Sequence, residues 1–204
     1  LEGDLLTEHA SAGLDELATG FVAPDPRVTP IDHGEVCLNL DRAWFAKRTL
    51  ALPRTLSDLL LARHRNLLVV ENPATSSPGL AFLLATIATF GEDGWQGYWR
   101  GLRANGVRVV DGWEEAYTQQ FSGAAGSPGT RPIVVSYATS PAAEVIYATT
   151  PVETAPTAAM EDGCFRQVEY AGVLRGAPNE DGARRLVDFM LSERFQADVP
   201  GSMF

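Results

Sequence analysis

The sequence predicts an α/β protein with a largely parallel sheet. Three observations carry that expectation. Short Val- and Ile-rich runs alternate with longer helical stretches along the chain. Two of the runs, NLLVV (residues 66–70) and PIVVSY (residues 132–137), lead straight into the hydroxyl-rich turns ENPATSSPG and ATSPA. Each turn places a proline at the first helical position, where helix amides point outward. Finally, two long strand-like segments, residues 28–40 and 164–174, bracket a self-contained α/β block, as two crossover strands joining two lobes would.

Taken in order, Thr7 to Leu17 reads as a short amphipathic helix with Leu14 and Leu17 inward. Three prolines between Pro24 and Glu35 demand extended or turn backbone. EVCLNLD (residues 35–41) alternates apolar and polar residues, as a half-buried strand does. Thr55 to Arg63 reads as a helix capped by Thr55, with Leu56, Leu59 and Leu60 inward. Asn66 to Glu71 is a buried strand and Leu80 to Phe90 a buried helix. Trp95 to Asn105 is a further helix closed by Gly106, with Trp95 and Trp99 in the core. VRVV (residues 107–110) is a strand, and Glu114 to Phe121 a helix with Trp113 at its mouth. After IVVSY, residues 149–163 read as a low-order loop and Cys164 to Leu174 as a long strand. Glu180 to Phe195 closes the series as a helix with Leu186, Phe189 and Met190 inward.

Composition excludes several function classes. A net charge of −10 over 204 residues opposes nucleic-acid binding, which needs a basic footprint. No apolar run approaches the roughly 18–20 residues of a membrane span. The chain opens Leu-Glu-Gly-Asp with no initiator Met and stops on an apolar tail, so it reads as a fragment of a longer protein. Cys37 and Cys164 are too few for a disulfide framework and read as two buried apolar thiols, with a single bridge as the alternative.

Nor do the residues assemble a catalytic apparatus. Of the three histidines, His64 reads as a surface residue in ARHRN, His9 sits in the first helix, and only His33 lies near a plausible cleft. No G-x-S-x-G elbow, G-x-G-x-x-G, P-loop or metal-ligand spacing occurs, and Ser76 and Ser140 suit capping better than nucleophilic attack. What the two Ser-Pro turns can build is a polar, anion-tolerant cleft at the strands' carboxyl ends. Trp113, following Gly112 at a strand-to-helix mouth, and Tyr137, ending its strand, supply aromatic surface. Tyr117, four residues after Trp113, reads as core. The combination suits a small, partly aromatic, polar ligand.

The blocks NPATSSPGLAFLL, GWEEAY, VVSYATSPA, FRQVEYAGVL and DFMLSERFQADVPGSMF, in that order, resemble the thiamine-binding proteins of bacterial ABC importers over residues 25–204. The resemblance implies a type II periplasmic-binding-protein fold, two α/β lobes joined by two crossover strands with the ligand clamped between them. Residues 31–167 would form one complete lobe, with residues 1–30 and 168–204 forming part of the other. It implies binding of thiamine, its monophosphate or its diphosphate, with no cofactor and no metal. A monomer would deliver the ligand to a membrane permease, from the periplasm or as an anchored lipoprotein. By the same resemblance Ser76 is a polar contact, Trp113 and Tyr137 are aromatic walls, and Phe204 stands where the family has a Trp. Thr75, Ser77, Ser140 and His33 complete the candidate ligand set. Two departures remove aromatic surface: Ala143 and His33 stand where the family carries Tyr.

Rival readings are a type II binder of iron, a polyamine or a phosphonate, and a regulator's effector domain. Iron would need paired tyrosines, and Tyr137 has no neighbouring Tyr in SYATSP. A pyrimidine-processing enzyme on the same fold would need Cys37, Cys164 or a His reactive in the cleft.

Overall fold

The computed structural model describes residues 4–16 and 25–202. Leu17, Pro24 and Phe204 lie outside the described residues. In chain order the structure begins with β1 (Leu6–Thr7), a 3-10 turn at Ala12–Glu16, β2 (Thr29–Asp41) and α1 (Arg42–Lys47). Two 3-10 turns, Leu56–Leu60 and Ala62–His64, precede β3 (Leu68–Glu71), α2 (Ser77–Ala104) and β4 (Arg108–Val110). A π-helical turn, Glu115–Gln120, leads to β5 (Ile133–Tyr137) and α3 (Ser140–Ile146). The chain closes with β6 (Thr157–Ala171), β7 (Val173–Leu174), α4 (Glu180–Met190) and α5 (Glu193–Ser202).

The chain divides into two compact units, Leu1–His33 with Val168–Phe204, and Gly34–Gln167. Both links between them fall inside long strands, β2 and β6. In the first unit β1 pairs antiparallel with β7, Leu6 opposite Leu174. Where an amphipathic helix was expected from Thr7, the chain makes this short strand and one 3-10 turn. His9 accordingly lies outside any helix, its Nε2 2.8 Å from Asp188 Oδ1. The C-terminal helix breaks at Leu191–Ser192 into α4 and α5. Its inward residues are Val187 and Leu191, whereas Leu186 and Phe189 are exposed. The Gln196 amide holds the break by donating to Met190 O and Ile31 O, at 2.8 and 2.9 Å.

The sheet order is β4-β3-β5-β2-β6. β3 runs parallel to both β4 and β5, but β2 runs antiparallel to β5, with Val36 opposite Tyr137 and Leu40 opposite Ile133. The sheet is therefore mixed, a feature invisible to pattern reading because a buried strand's residues do not encode its direction. Alternation along β3 and β5 divides the core in two. Leu68, Val70, Ile133 and Val135 meet α2 through Ala81, Phe82 and Leu102. Val69 and Val134 face the other way, onto Ala116, Tyr117 and Phe121 of the π-helical segment.

Several expectations fail for local reasons. β2 is buried through residues 36–41 rather than half-buried, because its polar residues find partners inside. Asn39 Nδ2 donates to Tyr137 O at 2.9 Å, and Asp41 caps α1 through Trp44 N and accepts from Ser122 Oγ. Thr55 does cap, in a reciprocal box with Asp58, but the capped segment winds as two 3-10 turns, with Leu60 exposed. His64 is buried against Phe45, its Nδ1 2.7 Å from Asp58 O, and is no surface residue. Prolines 78 and 141 stand at the second helical position, one residue later than read. The two helices read from residues 80–105 are both present, running together in α2 and separated by a kink at Gly91, whose φ of 70° is left-handed. Tyr98 is their buried aromatic, stacked on Phe90, while Trp95 is half-buried. Residues 157–163, read as loop, already belong to β6. Cys37 and Cys164 are bonded, with Cα atoms 4.4 Å apart, so they are not separate thiols. Among the described residues no helix is long and apolar enough to cross a membrane.

Candidate functional site

Three parallel strands, β3, β4 and β5, end at one edge of the Gly34–Gln167 unit, and the candidate residues come from the turns after them. After β3 the chain folds over Asn72, whose carbonyl accepts from Thr75 N and Ser76 N at 3.1 and 3.0 Å. Asn72 Oδ1 also accepts from Ala74 N at 3.0 Å, an Asx turn built by the residue type. Ser76 is the N-cap of α2, its hydroxyl 3.5 Å from Gly79 N. Gly79 is required here: a Cβ would lie 2.5 Å from Glu71 O, so only a glycine lets the helix start seat on the strand end. Ser77 and Thr75 are exposed and Ser76 half-buried. The Thr75 hydroxyl donates to Asp111 O at 2.7 Å, fastening this turn to the one after β4.

That second turn delivers Trp113. The next segment winds as a π-helix, with Phe121 N donating five residues back to Ala116 O at 2.9 Å. In this wider winding, residues four apart bring their rings into register. Trp113 stacks on Tyr117 at 5.0 Å and 16°, and Tyr117 lies 5.4 Å from Phe121. Trp113 is half-buried and its Nε1 donates to Ser136 Oγ at 2.9 Å. Tyr117 is core, as its spacing suggested, and its hydroxyl donates to Glu144 Oε1 at 2.8 Å. Burial, with the Glu144 carboxylate second, pushes the Tyr117 phenol well above its usual range.

After β5, Tyr137 turns its half-buried ring toward the α2 side of the sheet, while Ser136 faces the Trp113 side. Ser140 is buried: its Oγ lies 2.9 Å from Ser136 Oγ and accepts from Tyr137 N at 3.3 Å. Thr75, Trp113, Ser140 and Tyr137 are thereby tied into one edge, running from Thr75 through the Asp111 turn to Trp113, and from Trp113 through Ser136 to Ser140 and Tyr137. Ser76 and Ser77 open the helix beside them. His33 lies exposed on β2 in the other compact unit, and Phe204 lies outside the described residues.

One residue of this region was not singled out by its sequence pattern. Glu71 ends β3, is fully buried, and neither of its carboxyl oxygens has a partner among the described residues. Its Cα partner on β4 is Val110, which places it on the Trp113–Tyr117 side of the sheet. Burial pushes its carboxyl up to about 8, so it is chiefly a neutral acid at pH 7. The available signal was an acidic residue closing an otherwise apolar strand.

Known proteins share this architecture, with up to 29% of the aligned residues identical. The thiamine-binding periplasmic protein of Salmonella typhimurium is 29% identical over 171 residues, covering 84% of this chain and 48% of that protein. The Escherichia coli thiamine-binding periplasmic protein is 28% identical over 206 residues, covering 98% of this chain and 60% of its own length. The chain thus spans about half to three-fifths of these curated relatives. A solved periplasmic thiamin binding protein superposes with a TM-score of 0.79 at 25% identity, over 97% of this chain and 57% of that one. Iron-bound HitA from Pseudomonas aeruginosa, at 18% identity and a TM-score of 0.71, shares the fold, over 97% of this chain and 61% of that one. The architecture is the type II periplasmic-binding-protein fold, of which the chain holds a part. The family described as bacterial extracellular solute-binding protein matches residues 1–204 from end to end, and the chain belongs to it.

Proposed function

We propose that this protein is the solute-binding component of an ABC importer and that it binds thiamine, thiamine monophosphate or thiamine diphosphate. The carrying observation is the tied edge at the carboxyl ends of β3, β4 and β5. There a hydrogen-bonded, stacked indole stands beside a serine-capped helix start. Thiamine joins a permanently charged thiazolium to an aminopyrimidine, and so calls for aromatic faces with a few fixed polar groups. Trp113 and Tyr137 supply the faces, each contributing on the order of 0.5–2 kcal/mol to a stacked cation. Ser76, Ser77 and Thr75 supply hydroxyls at the mouth of α2, a seat that also suits a phosphate. Ser140 serves from inside. The names of the curated relatives support the choice of ligand.

The same reading makes the protein a monomeric binder rather than an enzyme, working outside the cytoplasm, in a periplasm or held as a lipoprotein, and presenting its ligand to a membrane permease. The Cys37–Cys164 bridge supports an oxidising compartment and leaves no thiol for catalysis. Titration calorimetry and tryptophan fluorescence on the purified protein test the ligand, with thiamine, its two phosphates, ferric iron and fructose 6-phosphate compared side by side. Saturable heat and an emission change with a thiamine compound alone are expected. Silence with all three thiamine compounds would refute the proposal.

A further inference from the structure

Trp113 is held by more than its nearest partner. Its indole N–H can only donate, so Ser136 Oγ accepts at 2.9 Å. At the far end a carboxylate can only accept, so the Tyr117 hydroxyl donates to Glu144 at 2.8 Å. Between these ends the indole stacks on the Tyr117 ring, with centroids 5.0 Å apart and planes 16° from parallel. Ser136 Oγ lies 2.9 Å from Ser140 Oγ, which also accepts from Tyr137 N at 3.3 Å. The chain of contacts runs Ser136, Trp113, Tyr117, Glu144, hydrogen-bonded at both ends and stacked in the middle.

Three separate pieces of structure contribute: the segment from Trp113 through the π-helical turn, the end of β5, and α3. The two stacked rings are pinned at both polar tips, Trp113 on Ser136 and Tyr117 on Glu144. We propose that Glu144 is a positioning residue for the Trp113 indole, acting through the Tyr117 ring that it anchors and on which the indole stacks. Without an acceptor at position 144 the Tyr117 proton has no fixed destination. The Tyr117 ring is then released at its polar tip, and the indole loses the fixed face on which it stacks. Glu144 need not touch ligand to affect it. That consequence rests on the proposed role of Trp113 as a ligand wall, whereas the chain itself does not.

The test is the indole N–H resonance of Trp113 in 15N-labelled protein, assigned by its loss in Trp113→Phe. In Glu144→Leu the resonance is expected to shift and its hydrogen exchange to accelerate on the order of tenfold. Tyr117→Phe, which keeps the ring, should do the same, and Glu144→Gln, which keeps an acceptor oxygen, should restore the parent signal. Thiamine affinity should fall on the order of tenfold in the Leu and Phe variants and recover in the Gln variant. An unmoved Trp113 resonance in both breaking variants would overturn the inference, as would a Gln variant that behaves like Leu. Trp113→Ala addresses the functional reading separately: unchanged thiamine affinity there would sink the wall role while the resonance still decides the positioning.

Discussion

Glu71→Gln should remove most of the pH dependence of stability between pH 5 and pH 8. The Glu71 carboxyl is fully buried without a hydrogen-bond partner among the described residues, and burial is the dominant cause of its raised pKa. Below pH 4.5, the ordinary value, folded and unfolded chains both hold the proton, and the stability linked to this group is fully present. Between 4.5 and about 8 the unfolded chain releases a proton that the folded chain keeps, so stability falls as pH rises. Above about 8 both states are ionised and no further loss occurs. At 1.36 kcal/mol per pH unit that window amounts to roughly 5 kcal/mol, an upper figure for one group. Asp25, Asp58 and Asp188 are lowered below their ordinary 3.8 by hydrogen bonds, so their contributions are lost only at more acid pH, outside this window. Glutamine keeps the shape and cannot titrate. Urea unfolding of parent and variant at constant ionic strength, from pH 5 to 9, gives the comparison directly. The variant's advantage should grow by several kcal/mol across the window and level off near pH 8. A constant difference between the two proteins would refute the reasoning.

Two further expectations concern stability. Cys37 and Cys164 are 127 residues apart, so reducing the bridge should cost up to about 5 kcal/mol by loop-closure entropy. Urea midpoints with and without reductant measure that cost, and coincident curves would contradict it. Gly79→Ala should destabilise by about 1–3 kcal/mol, since its Cβ would lie 2.5 Å from Glu71 O and push the start of α2 off the strand. Thermal melts report the loss, and a variant as stable as the parent would show that the helix mouth has room.

Much of the fold was legible because the patterns were local. IVVSY and LVVE could only be buried strands, and the Ser-Pro turns marked the starts of α2 and α3. Features that depend on what lies opposite were not. The seven residues Thr157 to Gly163 show no strand alternation and are strand because of pairing in the sheet. Asp41 and His64 look like surface residues until Ser122, Phe45 and the Asp58 carbonyl come to meet them. The bridge joins cysteines that no local signal relates. At the candidate edge, Trp113 and Tyr117 were visible as a pair from their spacing, and Ser76 from its place before a proline. Ser140 carried the same signature yet is buried, because Ser136 stands four residues before it on the inward face.

That contrast between Ser76 and Ser140 separates two kinds of residue along the edge. The period-two alternation of β5 sends Ser136 to the Trp113 side and Tyr137 to the α2 side, so consecutive residues deliver a hydroxyl inward and a ring outward. On β3 the same alternation sends Glu71 to the Ser136 side, two residues past the Val69–Val134 pair. The inward set therefore comprises a neutral acid and two hydroxyls bonded to each other, to the Trp113 indole and to Tyr137 N. The outward set, Thr75, Ser76, Ser77 and Tyr137 together with the half-buried Trp113, keeps polar atoms or ring surface at the boundary with solvent. Under the proposed function the outward residues meet the ligand and the inward ones fix where the outward ones stand. Truncating the first set should then change affinity at nearly constant stability, whereas truncating the second leaves buried polar groups unpaired and must change both.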